Sequence, residues 1–442
     1  KCAKDLGMSV IVTDHHVIPY DTDEEDNKVY NYVEADAIVN PKQEDCKYPF
    51  KELCGAGVAY KLIEAMYIKM NKDKEDLYQY IEEVAMATIC DVVELQGENR
   101  IFVKEGLQSI AYTENIGIRC LLEVNNLEDK RLNSYHFGFV IGPCINATGR
   151  LESAKMSMEL LLETNHEVAL EKAEELKSLN EERKEMTTRG VENAINQIEA
   201  GDFEASKVLV VYIPDCHESL AGIIAGRIKD KYYKPTLVLT KAEDNLIKGS
   251  ARSIENYNMY EALTNAKKLL VKYGGHAMAA GFTLFESNID SLREKLNVDC
   301  ELNDIDMQPK VMIDVAMPLE YATTEFIEEL QVLEPHGKGN EKPLFAYRNV
   351  RVASAKILGA NKNVIKLKLV GDTGVQVEGI YFNPEEFTNN MTEWFGYEEC
   401  DKMLHGWIND ISLNITYSPQ INTFRDVKSV QLVIKDYVKY NM

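Results

Sequence analysis

Residues 9–16 read SVIVTDHH, an apolar strand that runs directly into one acid and two histidines. In open α/β sheets, ligands bind outside the carboxyl ends of the strands, where Asp14, His15 and His16 would lie. Carboxylate oxygen and imidazole nitrogen suit Mn²⁺, Mg²⁺ or Zn²⁺ better than a soft metal. A simpler interpretation stays open on this stretch alone, in which one histidine caps a turn and the other fills the core.

Length and composition indicate a globular protein of several domains. The chain has 442 residues, of which 45% are hydrophobic and 27% charged, enough for about three domains of ~150 residues. No apolar run approaches the ~20 residues that span a bilayer, so we expect no membrane association. Nine cysteines without a C-x-x-C pair predict free thiols in a reducing cytoplasm.

The net charge of -23 argues against a protein that coats nucleic acid non-specifically, because phosphate binding needs clustered Lys and Arg. It does not argue against a nuclease. Bound divalent cations add positive charge at the place where the phosphates sit.

The alternation of strand-like and helical segments predicts an α/β fold in four parts. A parallel-sheet domain comes first, then a long connecting helix, a second α/β domain and a small C-terminal β-barrel or sandwich. We place these parts at residues 1–150, 151–200, 201–304 and 305–442. Residues 164–167, Thr-Asn-His-Glu, predict a capping box at the start of the long helix, and Gly190 predicts an interruption of it.

Further segments carry side chains suited to phosphate chemistry, each with a structural alternative. Asp91 follows an apolar helix and precedes a glycine-containing turn at residues 97–100, where an acid at a helix end often has no function. His217 lies between a strand and a helix, beside N-terminal amides that favour anions. A helix-capping loop with an incidental histidine is the alternative there.

Two glycine-containing strings complete the set. Ser250 and Arg252 lie together beside a glycine, and hydroxyl and guanidinium groups can hold a phosphate. Gly274 and Gly275 precede His276, and the small residues that follow permit a backbone approach that bulky side chains would block. A tight turn into a buried helix is the alternative for this string.

Taken in order, these segments resemble the DHH phosphoesterase superfamily and, within it, the RecJ single-strand-specific exonucleases. The resemblance covers essentially the whole chain. The strings that carry it are TDHH (13–16), NP (40–41), LCGAGVA (53–59), Asp91 with GENR (97–100), INATGRL (145–151), His217 with GIIA (222–225), GSARS (249–253), GGH (274–276) and LEPHGKGN (333–340).

The resemblance implies a two-metal phosphodiesterase that uses Mn²⁺ or Mg²⁺ to degrade single-stranded DNA from its 5′ end, in DNA repair and recombination. It implies that His15 and Asp91 are metal ligands. The implied catalytic residues are Asp14 and His16, which complete or orient the ligand shell, and His217 and His276, which face the scissile phosphate. The implied phosphate or DNA contacts are Asn146, Arg150, Ser250, Arg252, Gly274 and Gly275. An OB-like domain would guide the strand, and a helicase or a single-strand-binding protein is the implied partner.

The sequence departs from the family pattern at three points. The family carries an Asp-x-Asp strand and a further Asp-bearing strand upstream of Asp-His-His, and this sequence opens at Lys1 without them. We therefore expect a chain truncated at its N-terminus that is a poor nuclease as it stands. Cys144 stands where Arg is usual, which would weaken a phosphate contact, and His336 stands where Phe is usual.

Two other functions stay open on the sequence. One is a different DHH phosphodiesterase acting on oligoribonucleotides or cyclic dinucleotides, but such enzymes usually lack the OB-like part. The other is a non-catalytic homologue that only binds single-stranded DNA. The presence of His15, His16, Asp91 and His276 speaks against that second alternative.

Overall fold

The computed structural model describes residues 2–23, 27–151, 153–201, 203, 205–242, 246–359, 362–425 and 427–440. The chain divides into two compact units. The first unit combines Lys1–Gly106 with Val311–Met442, and the second is Leu107–Lys310. Among the helices in these described ranges, none has both the length and the apolar character needed to cross a membrane.

The N-terminal part of the first unit contains the predicted parallel strands. Strand β1 (Ile11–Thr13) pairs in parallel with β4 (Ala37–Val39), and a short antiparallel pair lies between them in the sequence, β2 (Tyr20–Thr22) with β3 (Lys28–Tyr30). The helices of this part are α1 (Cys2–Asp5), α2 (Gly55–Lys69), α3 (Ile81–Cys90) and α4 (Gly97–Ser109).

The glycine-containing turn predicted at residues 97–100 is wrong, because these residues form the first turn of α4. Gly97 has a positive φ of 48°, and a Cβ there would lie 2.8 Å from the ring of Phe50. A glycine is therefore needed to begin the helix. Glu98 follows in the first turn, where a negative charge is favourable.

The C-terminal part of the first unit is a closed barrel, which confirms the prediction of a small β-barrel. The strands β11 (Phe345–Leu358), β12 (Val364–Val370), β13 (Gln376–Tyr381), β15 (Val427–Lys439) and β14 (Ser412–Phe424) pair in that order, and β14 returns to β11. Tyr417 is fully buried in its core, and its hydroxyl donates to the carbonyl of Met317 at 2.7 Å. The other elements of this part are β10 (Val315–Ala316), α13 (Thr324–Leu330), α14 (Pro384–Phe395) and α15 (Tyr397–His405).

The second unit joins a group of helices to a five-stranded sheet. Its helices are α5 (Ile116–Val124), α6 (Ser134–His136), α7 (Gly142–Leu151), α8 (Lys155–Leu161), α9 (His166–Ala200), α10 (Glu218–Tyr232), α11 (Met259–Asn265) and α12 (Ile289–Val298). The strands are β5 (Leu209–Tyr212), β6 (Thr236–Lys241), β7 (Leu246–Arg252), β8 (Leu270–His276) and β9 (Ala279–Phe285). Strands β5 and β6 are parallel and α10 connects them, which confirms the predicted β-α-β unit.

The string around Gly274 forms an antiparallel hairpin of β8 and β9, so a turn into a buried helix is ruled out. The long connecting helix α9 also differs from its prediction. Asn165 is its N-cap, not Thr164, because the Asn165 side chain accepts from the backbone of Glu167 and Val168. The helix then runs through Gly190 without a break.

Gly190 is explained by close packing between helices. A Cβ at this position would lie 2.4 Å from Cδ1 of Ile224, a fully buried residue of α10. The glycine allows α9 to approach α10 closely, and this contact keeps α9 helical despite the low helix propensity of glycine.

We predict that Gly190→Ala and Gly226→Ala have different effects on stability. Both add a methyl group inside a helix, which favours the helix by about 1 kcal/mol. At Gly226 no atom lies within 4 Å of the new Cβ, so the gain should be retained. At Gly190 the clash with Ile224 should cost about 1 to 3 kcal/mol. Urea denaturation measures the difference, and equal stability of the two variants would contradict the close contact.

Candidate active site

The end of β1 brings together the acid and the histidines that the sequence singled out. The backbone N–H of Asp14 donates to the carbonyl of Val39 at 3.1 Å, which extends the parallel pairing by one residue. Donor atoms of Asp14, His15 and His16 lie within 4.8 Å of one another. Nε2 of His15 lies 3.5 Å from Oδ2 of Asp91. We refer to Asp14, His15, His16 and Asp91 as the Asp–His cluster.

Asp14 organises the cluster through one carboxylate oxygen. Its Oδ1 accepts from the backbone N–H groups of His15 at 2.7 Å and His16 at 3.2 Å, and it lies 2.7 Å from Nδ1 of His16. Partial burial would raise the pKa of Asp14, but these contacts outweigh it and lower the pKa. Because Nδ1 of His16 is engaged, Nε2 is the nitrogen left for a metal.

Asp91 reaches the cluster from the end of α3. It is the C-cap of that helix, and Val92 follows with a positive φ of 55°. The neighbouring Cys90 thiol has its pKa raised to about 12, mainly by burial and also by the charge of Asp91. Cys90 therefore stays protonated at neutral pH, and Asp91 is the side chain that faces His15.

Asn99 fixes the segment that follows Asp91. This residue is fully buried, and its Nδ2 donates to the carbonyls of Glu52 at 2.6 Å and Glu94 at 2.9 Å. Residue 52 lies just before α2, where the Cβ position of Gly55 is 3.6 Å from the His15 ring. One amide thus ties the Asp91 segment to the segment that packs on His15.

The residues that follow Asp91 also form hydrogen bonds with residues 332–339, which precede the barrel. The backbone N–H of Leu95 donates to the carbonyl of Lys338 at 2.7 Å, and Nε2 of Gln96 donates to the carbonyl of Gly339 at 2.8 Å. Nη2 of Arg100 donates to the carbonyl of Val332 at 3.0 Å. The sequence singled out residues 97–100 and 333–340 as separate strings, and no pattern in either string indicated that they meet.

The donors of the Asp–His cluster fit a divalent cation by their chemistry. Carboxylate oxygens and imidazole nitrogens are the ligands that Mn²⁺, Mg²⁺ and Zn²⁺ accept. The His15 side chain is 17% exposed and that of Asp91 42%, so solvent reaches both side chains.

A second group of predicted residues surrounds the first turn of α10 in the second unit. His217 is the N-cap of this helix, and its Nδ1 accepts from the Ser219 N–H at 3.3 Å and lies 2.7 Å from the Ser219 hydroxyl. Nη1 of Arg150 donates to the carbonyl of Ser219 at 2.8 Å. The Arg252 guanidinium covers Gly222, where it would be 2.8 Å from a Cβ.

Strand β7 runs beside this turn with alternate residues facing it. Lys248 pairs with Glu218 at 2.6 Å. Ser250 lines a pocket of about 420 Å³ together with Ser219 and Gly274. Because side chains alternate along a strand, Lys248, Ser250 and Arg252 share one face.

The remaining predicted residues, Gly274, Gly275 and His276, lie in the hairpin of β8 and β9. No atom lies within 4 Å of the Cβ position of Gly274, whereas Gly275 has φ of 146° and its Cβ would lie 2.4 Å from the carbonyl oxygen of Ala279. Ala279 is the register partner of both His276 and Arg252. The backbones of these two residues are therefore two strand spacings apart, about 10 Å. His276 is exposed.

Helix α7 carries Asn146 and Arg150, which are both exposed and one turn apart on the same face. Cys144, on the same helix, points inward and is fully buried. Its thiol donates to the carbonyl of Val140 at 3.2 Å and lies 3.5 Å from Nδ2 of Asn180. The Cys144 side chain itself therefore does not reach the surface of the protein.

Two arginines near this group were missed by the sequence analysis. Nε and Nη2 of Arg183 donate to Oδ1 of Asn180 at 3.2 and 2.9 Å. Burial lowers the pKa of Arg183, and the like charges of Arg150 and Arg227 lower it further. Burial and the charge of Arg150 likewise lower the pKa of Arg252. We call Arg150, Arg183, Arg227 and Arg252 the arginine group; in the sequence, Arg183 and Arg227 look like ordinary charged positions on exposed helix faces.

Comparison with known proteins identifies the family. Family models match in order: the DHH family N-terminal domain at residues 1–89, the DHHA1 domain at 205–301 and the RecJ OB domain at 313–436. The single-stranded-DNA-specific exonuclease RecJ of Salmonella typhimurium is 32% identical over 455 residues, which cover 98% of this chain and 74% of that protein. The chain belongs to the RecJ family.

Other RecJ proteins match over different shares of their length. The Bacillus subtilis RecJ is 32% identical over 439 residues, covering 99% of this chain and 52% of that protein, so the chain spans about half of this relative. The crystal structure of Thermus thermophilus RecJ in complex with Mn²⁺ matches with a TM-score of 0.77 and 25% identity, over 99% of this chain and 59% of that one. The Mg²⁺ complex matches with a TM-score of 0.74, over 92% and 59%. The predicted family and fold class are confirmed.

We predict that Asn99→Ala destabilises the protein more than Asn340→Ala does. Each amide donates to two carbonyls, those of Glu52 and Glu94 for Asn99 and those of Leu333 and Pro335 for Asn340. Asn99 is fully buried, so its loss leaves acceptors that water does not reach and should cost about 1 to 3 kcal/mol. Asn340 is only half-buried. Chemical denaturation compares the free energies of unfolding of the two variants. An equal or larger loss of stability in Asn340→Ala would contradict the role of Asn99 in tying the two segments together.

Proposed function

We propose that this chain carries the catalytic core of a metal-dependent exonuclease that degrades single-stranded DNA from its 5′ end. The observation that carries the proposal is the 3.5 Å approach of His15 Nε2 to Asp91 Oδ2 at the end of a parallel strand pair, in a chain that belongs to the RecJ family. A carboxylate and an imidazole at this spacing suit metal-assisted hydrolysis, whereas DNA binding alone needs clustered Lys and Arg.

The Asp–His cluster is the proposed metal site, with His15 and Asp91 as ligands and Asp14 and His16 completing or orienting the shell. Mn²⁺ or Mg²⁺ bound there would lower the pKa of a water molecule and offset the charge on the phosphate. The chain's own contribution is orientation. The Asp14 carboxylate holds the ring of His16 and the backbone of His15, so that the imidazole nitrogens need not reorganise when a metal binds.

The arginine group is the proposed grip on the DNA phosphate. Arg150 and Arg252 flank the first turn of α10, where backbone N–H groups and guanidinium groups both favour an anion. The Ser250 hydroxyl and Asn146 amide add neutral donors. Gly274 and Gly275 let the backbone approach the strand without side chains, as the open space at Gly274 illustrates.

His217 and His276 are the proposed proton-transferring or phosphate-facing histidines. Nδ1 of His217 is occupied by Ser219, which leaves its Nε2 directed away from the helix. His276 is exposed at the end of β8. Both rings are therefore accessible to a substrate, as general acid–base residues must be.

The presence of the barrel favours a polymeric substrate over a small molecule. Barrels of the OB type bind single strands through stacking and basic side chains, which a cyclic dinucleotide or a short oligoribonucleotide would not require. Single strands with free 5′ ends arise in DNA repair and recombination, and a helicase or a single-strand-binding protein is the partner that such a substrate implies. The nine cysteines, none of which forms a disulfide, fit a reducing cytoplasm.

The proposal predicts that metal binding and DNA binding can be separated by mutation. His15→Ala should abolish Mn²⁺ binding measured by calorimetry, because it removes a ligand. Arg252→Ala should leave Mn²⁺ binding intact and weaken binding of a 5′-phosphorylated oligonucleotide. In a complete enzyme it should also reduce kcat by about 100- to 1,000-fold, since one such contact contributes about 2 to 4 kcal/mol. His276→Ala should reduce kcat without changing Mn²⁺ affinity.

Two variants serve as matched controls. His405→Ala removes a histidine that also neighbours an aspartate, Asp401 at 3.4 Å, and Arg189→Ala removes an arginine of α9 outside the arginine group. Both should keep wild-type Mn²⁺ and DNA affinity. Unchanged Mn²⁺ affinity in His15→Ala would refute the metal assignment, and unchanged DNA affinity in Arg252→Ala would refute the phosphate assignment.

A further inference from the structure

A second set of metal-ligating side chains lies in the second unit, apart from the residues of the proposed function. Donor atoms of Cys120, Glu123 and His166 all lie within 4.8 Å of one another. Within the described residues, this set and that of Asp14, His15 and His16 are the groups with such spacing.

The fold brings these residues together from two helices. Cys120 and Glu123 are three residues apart on α5 and so share one face. His166 is the first residue of α9. Nε2 of His166 lies 3.6 Å from Oε2 of Glu123, and the Cys120 thiol is directed toward His166, whose carbonyl is 3.9 Å away.

The three side chains differ in burial, as is expected for a site at the edge of the hydrophobic core. Cys120 is fully buried, whereas the side chains of Glu123 and His166 are 40% and 51% exposed. The Cys120 thiol therefore lies at the buried end of the group, and Glu123 and His166 lie at its solvent-exposed end. An ion would approach from the side of Glu123 and His166, which solvent reaches.

We propose that Cys120, Glu123 and His166 form a zinc-binding site. One thiolate, one imidazole and one carboxylate are the ligand types that Zn²⁺ takes, with a water molecule as the fourth ligand. Tetrahedral Zn²⁺ bonds of about 2.0 to 2.3 Å place neighbouring donors about 3.3 to 3.8 Å apart, and the 3.6 Å between Glu123 and His166 lies in that range.

The sulfur ligand gives this site a different metal preference from that of the Asp–His cluster. Mg²⁺ and Mn²⁺ favour oxygen and nitrogen donors, whereas thiolate favours Zn²⁺. Binding converts the Cys120 thiol to a metal-bound thiolate, and its proton passes to solvent. The bound ion would link the start of the 35-residue helix α9 to α5, and this role would be independent of the proposed hydrolysis.

Cobalt spectroscopy of the full chain tests this site directly. The chain is stripped with a chelator and titrated with Co²⁺, which takes the place of Zn²⁺ and gives a thiolate-to-cobalt charge-transfer band. We expect one such band that added Zn²⁺ removes. His166→Asn, an exposed position that should fold normally, should weaken Co²⁺ binding at least tenfold, because even outer-shell changes cost about 10- to 100-fold. Cys120→Ser should abolish the band.

Two controls separate the site from other cysteines and from the Asp–His cluster. Cys300→Ser changes another buried thiol of the second unit and should keep the band. His15→Ala should also keep it, since the Asp–His cluster contains no sulfur ligand. Absence of the band in the wild-type chain, or its persistence in His166→Asn at unchanged affinity, would overturn the proposal without bearing on the exonuclease assignment.

Discussion

The parallel pairing of β1 with β4 is the constraint on which the Asp–His cluster depends. Thr13 pairs with Val39, and Asp14 continues the pairing through its own N–H. Buried Asn40 then donates to the carbonyl of His16 at 2.9 Å, so the chain leaving one strand is held by the chain leaving the other. Because side chains alternate along a strand, a slip of one residue would turn His15 away from Asp91.

The proposed roles are divided between the two units of the chain. The first unit supplies acid and imidazole donors, and its Asp91 segment is secured by Asn99 and by the segment that precedes the barrel. The second unit supplies guanidinium groups around the start of α10. A chain with a net charge of -23 thus still groups positive side chains around the start of α10, where we propose that a phosphate binds.

Local patterns in the sequence predicted most of the fold, but they did not predict the contacts between distant segments. The alternation of strands and helices was enough for the β-α-β unit and the barrel. It was not enough at Gly190, where the decisive contact is with Ile224 of another helix, or at residues 97–100, where the ring of Phe50 explains the glycine. Arg183 was missed because Arg150 and Arg227, whose charges act on it, are remote in the sequence. The Cys120 group was missed because His166 is far from Cys120 along the chain.

The most direct test of this account is an anomalous diffraction map of Mn²⁺-soaked crystals, recorded at the manganese absorption edge. The account predicts a peak within bonding distance of His15 Nε2 and an Asp91 oxygen, with Asp14 still hydrogen-bonded to His16. A manganese peak elsewhere, with the space between His15 and Asp91 empty at saturating Mn²⁺, would contradict it.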